Sequence, residues 1–409
     1  MYIKRKIEDD ILRYLDRPEI LAIVGPRQCG KTTTLRKIYA GLTNAVFLTF
    51  EDQDILSLFE NDIKQFADTY LTGKKYALID EFQYAKNGGK LLKYLYDTRQ
   101  TKIIISGSSA IDLTIKAIKF LVGRVFVINM NQFDFYEYLL SQDKNFAGIY
   151  EKNKINLMPA GAPEKKNQLA PEQLAALEKH YQNYAIWGGY PRVALAAATE
   201  EKKEILKNIY NTYFLRDVRN TLGLIDDFKL AKLIKALSLQ AGGMIEYNEL
   251  SRISEFSAPT LKKYLNFLAK TYICDFIAPF YKNKRKEIVK NKKIYFFDAG
   301  LRNAVINDFR GLDSRPDAGS LIENAFWMQA VKKQHPCQFW RNKNKNEIDF
   351  IIDLGENKIA AVEIKQSRDK CQKLPAAFTK EYKQAVPYCF YLKSRGQNHD
   401  ETKKFLPLF

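Results

Sequence analysis

The apolar positions of the first 130 residues fall into short, nearly continuous runs. Residues 20–24, 45–50, 76–80, 102–106 and 125–129 are rich in Ile, Leu and Val and too short for buried helices, so they predict buried strands. Segments with helical spacing separate them, among them 33–39. A helix within residues 1–19 would carry Ile7, Ile11, Leu12 and Leu15 on one face and end near Pro18. Strands that are apolar throughout and alternate with helices predict an α/β fold with a parallel sheet covered on both faces.

The pattern changes after about residue 140. Residues 143–170 are largely polar, with Pro159 and Pro163 flanking Ala-Gly-Ala, and read as a linker. Helical spacing returns at 172–184 and 202–213. Three helices are expected between 227 and 278, with Pro259 at a helix start, and 280–297 reads as a β-hairpin with a basic tip. From residue 320 a helix is followed by strands. No internal repeat is visible.

Composition narrows the classes. A hydrophobic fraction of 46% excludes a disordered chain and supplies more than one core. No long uncharged apolar run predicts a membrane span, and the N-terminus has no signal-peptide core. The five cysteines include no CxxC pair and there are three histidines, which argues against a zinc site or a disulfide framework and for a reducing, cytoplasmic location. Lys and Arg total 65 against 47 Asp and Glu, a net charge of +18, so a polyanion such as DNA is the expected partner.

The first chemical motif is Gly25-Pro26-Arg27-Gln28-Cys29-Gly30-Lys31-Thr32, which fits GxxxxGK[ST] between a strand and a helix. Backbone amides of such a turn, running on to Thr33, would point at phosphate oxygens. Lys31 would neutralise the β and γ phosphates of ATP, and Thr32 would ligate Mg²⁺. The strand at 76–80 ends in Asp80-Glu81: Asp80 to hold Mg²⁺, Glu81 to polarise the attacking water. The next strand ends in Ser106-Gly107-Ser108-Ser109. Ser108 is the expected water-orienting group, with Ser106 the alternative and a plain strand-ending turn the other reading. Arg124, before the fifth strand, would be either an arginine finger reaching a neighbouring subunit or one half of a local ion pair.

The strings GPRQCGKT, ALIDEFQ, IIISGSS and LVGRVFVINMNQFDFYEYL, followed by WGGYPR, YFLRDV and KIYFFDAGLRNA, resemble a group of prokaryotic AAA-type ATPases over about residues 10–370. The resemblance implies an AAA+-like P-loop core at 1–142, a linker and lid-like helical region at 143–225, a winged helix at 226–305 and a PD-(D/E)xK nuclease-like domain at 306–409. It also implies a homo-oligomer, a ring such as a hexamer, with ATP and Mg²⁺ as cofactors.

Within that frame, the second helix of a helix-turn-helix would expose Lys262 and Lys263. The hairpin tip would present Lys282, Lys284, Arg285, Lys286, Lys290, Lys292 and Lys293 to a phosphate backbone. Near the C-terminus, Asp349 in one strand and Glu363 and Lys365 in the returning strand form a D…ExK arrangement. Glu323, in a helix upstream, resembles the additional helical Glu of that fold. Glu323, Asp349 and Glu363 would ligate a divalent metal and Lys365 would orient a water, or the domain would serve as a platform without cleavage. Three functions follow: a DNA-remodelling or translocating ATPase, a STAND-like nucleotide switch that binds a protein partner, and an ATP-regulated nuclease.

Overall fold

The computed structural model describes residues 1–107, 120–154, 169–215, 227–332, 336–393 and 404–407. The chain divides into two compact units, 1–133 with 270–272, and 134–269 with 273–409.

The first unit is built on five strands: β1 Ile20–Val24, β2 Ala45–Thr49, β3 Tyr76–Asp80, β4 Lys102–Gly107 and β5 Val125–Asn129. Their order is β2-β3-β4-β1-β5, and every pairing is parallel. β1, β3 and β4 are buried at every position. Alternate β1 side chains enter opposite cores, as the pleat requires. Ile20, Ala22 and Val24 pack with Phe50, Phe59 and Phe66 on one face. Leu21 and Ile23 pack with Ile7, Ile11 and Leu35 on the other. The first helix, Ile7–Arg13, places Ile7 and Ile11 one turn apart on its buried face. Leu12, expected on that face, lies one step further round the helix and is 48% exposed.

In the second unit the expected linker is partly helical. Lys144–Asn153 is a helix whose start is capped by the Asp143 carboxylate and whose Ala147 and Tyr150 are buried; the central part of that linker lies outside the described residues. Helices Asp227–Leu239, Tyr247–Ser254 and Ala258–Lys270 follow as anticipated. β6, Cys274–Ile277, pairs antiparallel with β7, Lys293–Phe296. The expected hairpin tip is instead a short helix, Lys284–Val289, capped by Asn283. Glu287 ties that helix back by accepting from the Tyr281 N–H at 3.0 Å and from Lys284 at 2.9 Å. Lys293 is no tip residue: it is 2% exposed within β7.

The C-terminal part packs helix Ala318–Lys332 on a sheet of β8 Cys337–Arg341, β9 Glu347–Gly355, β10 Lys358–Ser367, β11 Ala385–Lys393 and β12 Lys404–Pro407. β8, β9 and β10 are antiparallel neighbours; β10, β11 and β12 run parallel. Phe326 of the helix packs on Phe350 and Phe390, while Trp340, Ile351, Ala361 and Phe378 form a separate cluster. Cys371 and Cys389 are joined in a disulfide with Cα atoms 6.1 Å apart, a single bridge among the described residues, where the sequence argued only against a disulfide framework. Their separation of 18 residues matches no recognisable pair spacing, so only the fold brings them together. Among the described residues, no helix is long and apolar enough to cross a membrane.

The WGGYPR and FDAGLRNA strings meet in this unit. A side chain on Gly300 would lie 2.0 Å from the Trp187 carbonyl oxygen, and one on Gly188 would strike the Asp298 carboxylate. Asp298 is buried and accepts from the N–H groups of Gly189 at 2.7 Å and Leu301 at 2.9 Å. Asn303 donates to the Ile186 carbonyl at 2.8 Å. The two strings form a backbone joint.

Candidate functional site

In a parallel sheet the strand C-termini share one edge, and ligands bind there. Register puts Val24 beside Gly107, and Thr49 beside Asp80. The loop after β1 therefore adjoins the Ser106-Gly107 end of β4, with the acidic end of β3 one strand further along the same edge.

The loop is shaped by close packing. A Cβ on Gly25 would sit 1.9 Å from the Met130 carbonyl oxygen, so only glycine fits. Gln28 and Gly30 adopt positive φ, 59° and 103°, which turns successive amides toward one concavity of the kind that binds anions. Pro26 and Cys29 are buried, Arg27, Gly30 and Thr32 are half-buried, and Gln28 and Thr33 are exposed. Cys29 Sγ donates to the Met130 carbonyl at 3.2 Å. Arg5 supplies a clamp that sequence reasoning missed. It donates to the carbonyls of Cys29 at 2.7 Å and Asn131 at 2.6 Å, and its guanidinium lies 4.9 Å from the Phe133 ring centroid. Nothing in a lysine- and arginine-rich N-terminus distinguishes Arg5 from its neighbours.

Lys31 begins the helix Lys31–Tyr39 and is 5% exposed. Its ammonium donates to the carbonyls of Gly25 at 2.9 Å and Pro26 at 2.8 Å. Among the described residues no carboxylate stands within ion-pair distance of it. A buried ammonium held by neutral dipoles alone favours an anion nearby. Asp80 is 3% exposed and accepts from the Ser106 hydroxyl. Glu81 follows in the left-handed region, φ 53°, and its carboxylate accepts from the Gln83 amide. Lys31, Asp80 and the loop amides thus fit a nucleotide with its divalent ion. Ser106, the alternative strand-end hydroxyl, bonds to Asp80, whereas Ser108 lies outside the described residues. Arg124 lies at the opposite end of the sheet, before β5, with Nε 3.3 Å from Asp97 and its guanidinium 5.8 Å from the Tyr96 ring centroid.

The C-terminal candidates are arranged differently. Glu323 takes an ion pair from Lys293 at 3.0 Å and a hydrogen bond from the Tyr295 hydroxyl. Asp349 accepts from the Ile364 N–H at 2.7 Å and lies 3.5 Å from Lys365 Nζ. Glu363 is 6% exposed in β10. Lys293 and Glu347, absent from the expected set, are paired at 2.5 Å. Among the described residues no three His, Cys, Asp or Glu side chains are grouped to hold a metal ion, so the expected metal set of Glu323, Asp349 and Glu363 is not assembled. Burial pushes the Glu323 carboxyl up to about 7, against the opposing pull of Lys293. Burial also works against the charge of Lys293, but Glu323, Asp349 and Glu347 outweigh it and hold its pKa above the ordinary lysine value. Of the nucleic-acid candidates, Lys262 and Lys263 are exposed on helix Ala258–Lys270, and Lys284, Arg285 and Lys286 are exposed on the short helix after Asn283.

Comparison with known proteins agrees with the first unit. Residues 17–139 match the family model described as an AAA domain. Residues 178–312 and 318–409 match two models described as domains of unknown function, DUF8612 and DUF4143. An uncharacterized protein of Haemophilus influenzae is 25% identical over 83% of this chain and 81% of its own. Another, of Methanocaldococcus jannaschii, is 26% identical over 85% and 77%. Among solved structures, the Walker-type ATPase of Pyrococcus abyssi covers 75% of this chain and 96% of its own, with 15% identity and a TM-score of 0.48. The five-stranded parallel sheet with its flanking helices matches a P-loop ATPase core.

Proposed function

We propose that this chain hydrolyses ATP and uses the turnover to remodel or move along DNA, working as a homo-oligomeric ring. The observation that carries the ATP half is the buried Lys31 ammonium, held by two backbone carbonyls in a loop next to the Asp80–Ser106 pair. In this reading the loop amides and Lys31 bind the phosphates. Thr32 and Asp80 would hold Mg²⁺, whose charge would be set against that of the phosphate chain. Glu81 would polarise the attacking water. Arg124, whose pair with Asp97 is a partly exposed surface contact of small worth, serves a neighbouring subunit's nucleotide.

Support for DNA comes from where the excess charge lies. Helices Tyr247–Ser254 and Ala258–Lys270 with the β6–β7 pair have the element order of a winged helix. Lys262, Lys263, Lys282, Lys284, Arg285, Lys286 and Lys290 are all exposed. A cavity of about 420 Å³ is lined by Tyr281, Lys290, Phe339, Arg341 and Lys343, among others, a mixture of rings and cations suited to a nucleic-acid strand. A protein partner is the second reading, favoured by Ile288, an apolar side chain 79% exposed in the last turn of the basic helix.

The test is ATP turnover with and without single-stranded, duplex and branched DNA. Turnover should rise with DNA. Glu81→Gln should keep ATP binding and lose on the order of 100-fold or more in rate. Joint neutralisation of Lys284, Arg285 and Lys286 should lower the slope of log affinity against log salt by up to about three while basal turnover survives. Unchanged DNA affinity and salt slope would move the protein-partner reading ahead.

A further inference from the structure

The C-terminal sheet carries the ligand types of a divalent-metal nuclease but not the charge such a site needs. Three carboxylates act on Lys293 there: Glu323 from the helix, and Glu347 and Asp349 from β9. Each already has a cation. Lys293 Nζ lies 3.0 Å from Glu323 and 2.5 Å from Glu347. Arg341 Nη1 lies 2.9 Å from the other Glu347 oxygen, and Lys365 Nζ lies 3.5 Å from Asp349. Each of these three carboxylates is thus matched by a cation already in place. Mg²⁺ binds where carboxylate charge is left uncompensated. Added here, it would stand close to a buried ammonium, and like charges at such separations in a poorly solvated interior repel strongly.

The position of Lys293 is specific. It is 2% exposed, so it cannot move out to solvent without opening the strand. Tyr295, two residues along β7 and so on the same face, also donates to Glu323. β7, the helix and β9 are therefore drawn to one point by an ammonium, in the manner of a structural metal ion that draws its ligands together.

We infer that Lys293 takes the place of the divalent cation, so that the C-terminal fold of this chain is a metal-independent platform over a latent metal site. The inference does not depend on what the ATP site does.

The probe is Mn²⁺, followed by electron paramagnetic resonance and equilibrium dialysis on nucleotide-free full-length chain. Any Mn²⁺ held at the P-loop is separated by comparison with Glu323→Gln, which alters the C-terminal cluster alone. Wild type and Glu323→Gln should bind Mn²⁺ equally at millimolar concentration, and wild type should leave plasmid DNA uncut with Mg²⁺ or Mn²⁺. Lys293→Met should gain one Mn²⁺ per chain, lose it again in the double variant with Glu323→Gln, and melt higher with Mn²⁺ than without. A wild-type Mn²⁺ ion that disappears in Glu323→Gln, or metal-dependent nicking lost in Asp349→Ala, would overturn the inference. So would a folded Lys293→Met that takes up no metal. If Lys293→Met does not fold, the comparison of wild type with Glu323→Gln still decides whether the native cluster holds a cation.

Discussion

Lys31 and Lys293 are both lysines almost wholly withdrawn from water, yet they are satisfied in opposite ways. Lys31 is bonded to two neutral carbonyls and keeps its charge available. Lys293 is bonded to two carboxylates and has none to offer. A buried cation among dipoles marks a place for an anionic ligand, whereas one among carboxylates completes a structural network. Burial alone does not separate the two cases; the charge of the partners does.

The largest effect expected from this difference is on stability. Lys293→Met would leave Glu323, Glu347 and Asp349 crowded without their central cation, at a cost of about 3–5 kcal/mol. All three tryptophans, Trp187, Trp327 and Trp340, lie in the second unit. Denaturant unfolding followed by tryptophan fluorescence therefore reads that unit, and an unchanged midpoint would show the network to be dispensable. Lys31→Ala should behave the other way round. Nucleotide affinity, measured calorimetrically, should fall on the order of 100-fold or more through the loss of charge-assisted phosphate bonds, while the tryptophan-reported transition stays in place. Undiminished ATP binding would remove the contrast.

A smaller effect sharpens it from a third buried charge. Burial pushes Asp298 up to about 6, against the opposing pull of the Gly189 and Leu301 amides. Between its ordinary value, 3.8, and that value the native state holds a proton that the unfolded chain has released. This contribution to stability is therefore greatest at acidic pH and is lost as pH rises through about 6. Asp298→Asn should flatten that part of the stability–pH curve. An unaltered curve would assign the slope to other groups, Glu323 first.

The first unit was legible because its information is local. Eight contiguous residues define the phosphate loop, and the uninterrupted apolar run of β1 states that both faces of the sheet are covered. The C-terminal cluster drew on Lys293, Glu323, Glu347, Asp349 and Lys365, residues from four separate segments that share no spacing. The Asp349, Glu363 and Lys365 pattern is visible in sequence, but Lys293, which decides its chemistry, looks there like one more lysine of a basic tip. Its phase with Tyr295 at the start of an apolar strand was the available signal. The WGGYPR and FDAGLRNA strings stood out in sequence, and packing explains their glycines: at Gly188 and Gly300 there is no room for a side chain. Arg5 left no trace, since its role depends on two carbonyls about 100 residues apart.

That clamp gives the N-terminal segment a reach its length does not suggest. Arg5 holds the carbonyls of Cys29 and Asn131 together, and Glu8 in turn accepts from the Arg5 backbone N–H at 2.5 Å and from the Tyr2 hydroxyl at 2.6 Å. The loop after β1 can therefore be addressed through residues 2–8. A substitution or cleavage that disturbs residues 2–8 would act on that loop itself, at a distance in sequence of more than twenty residues.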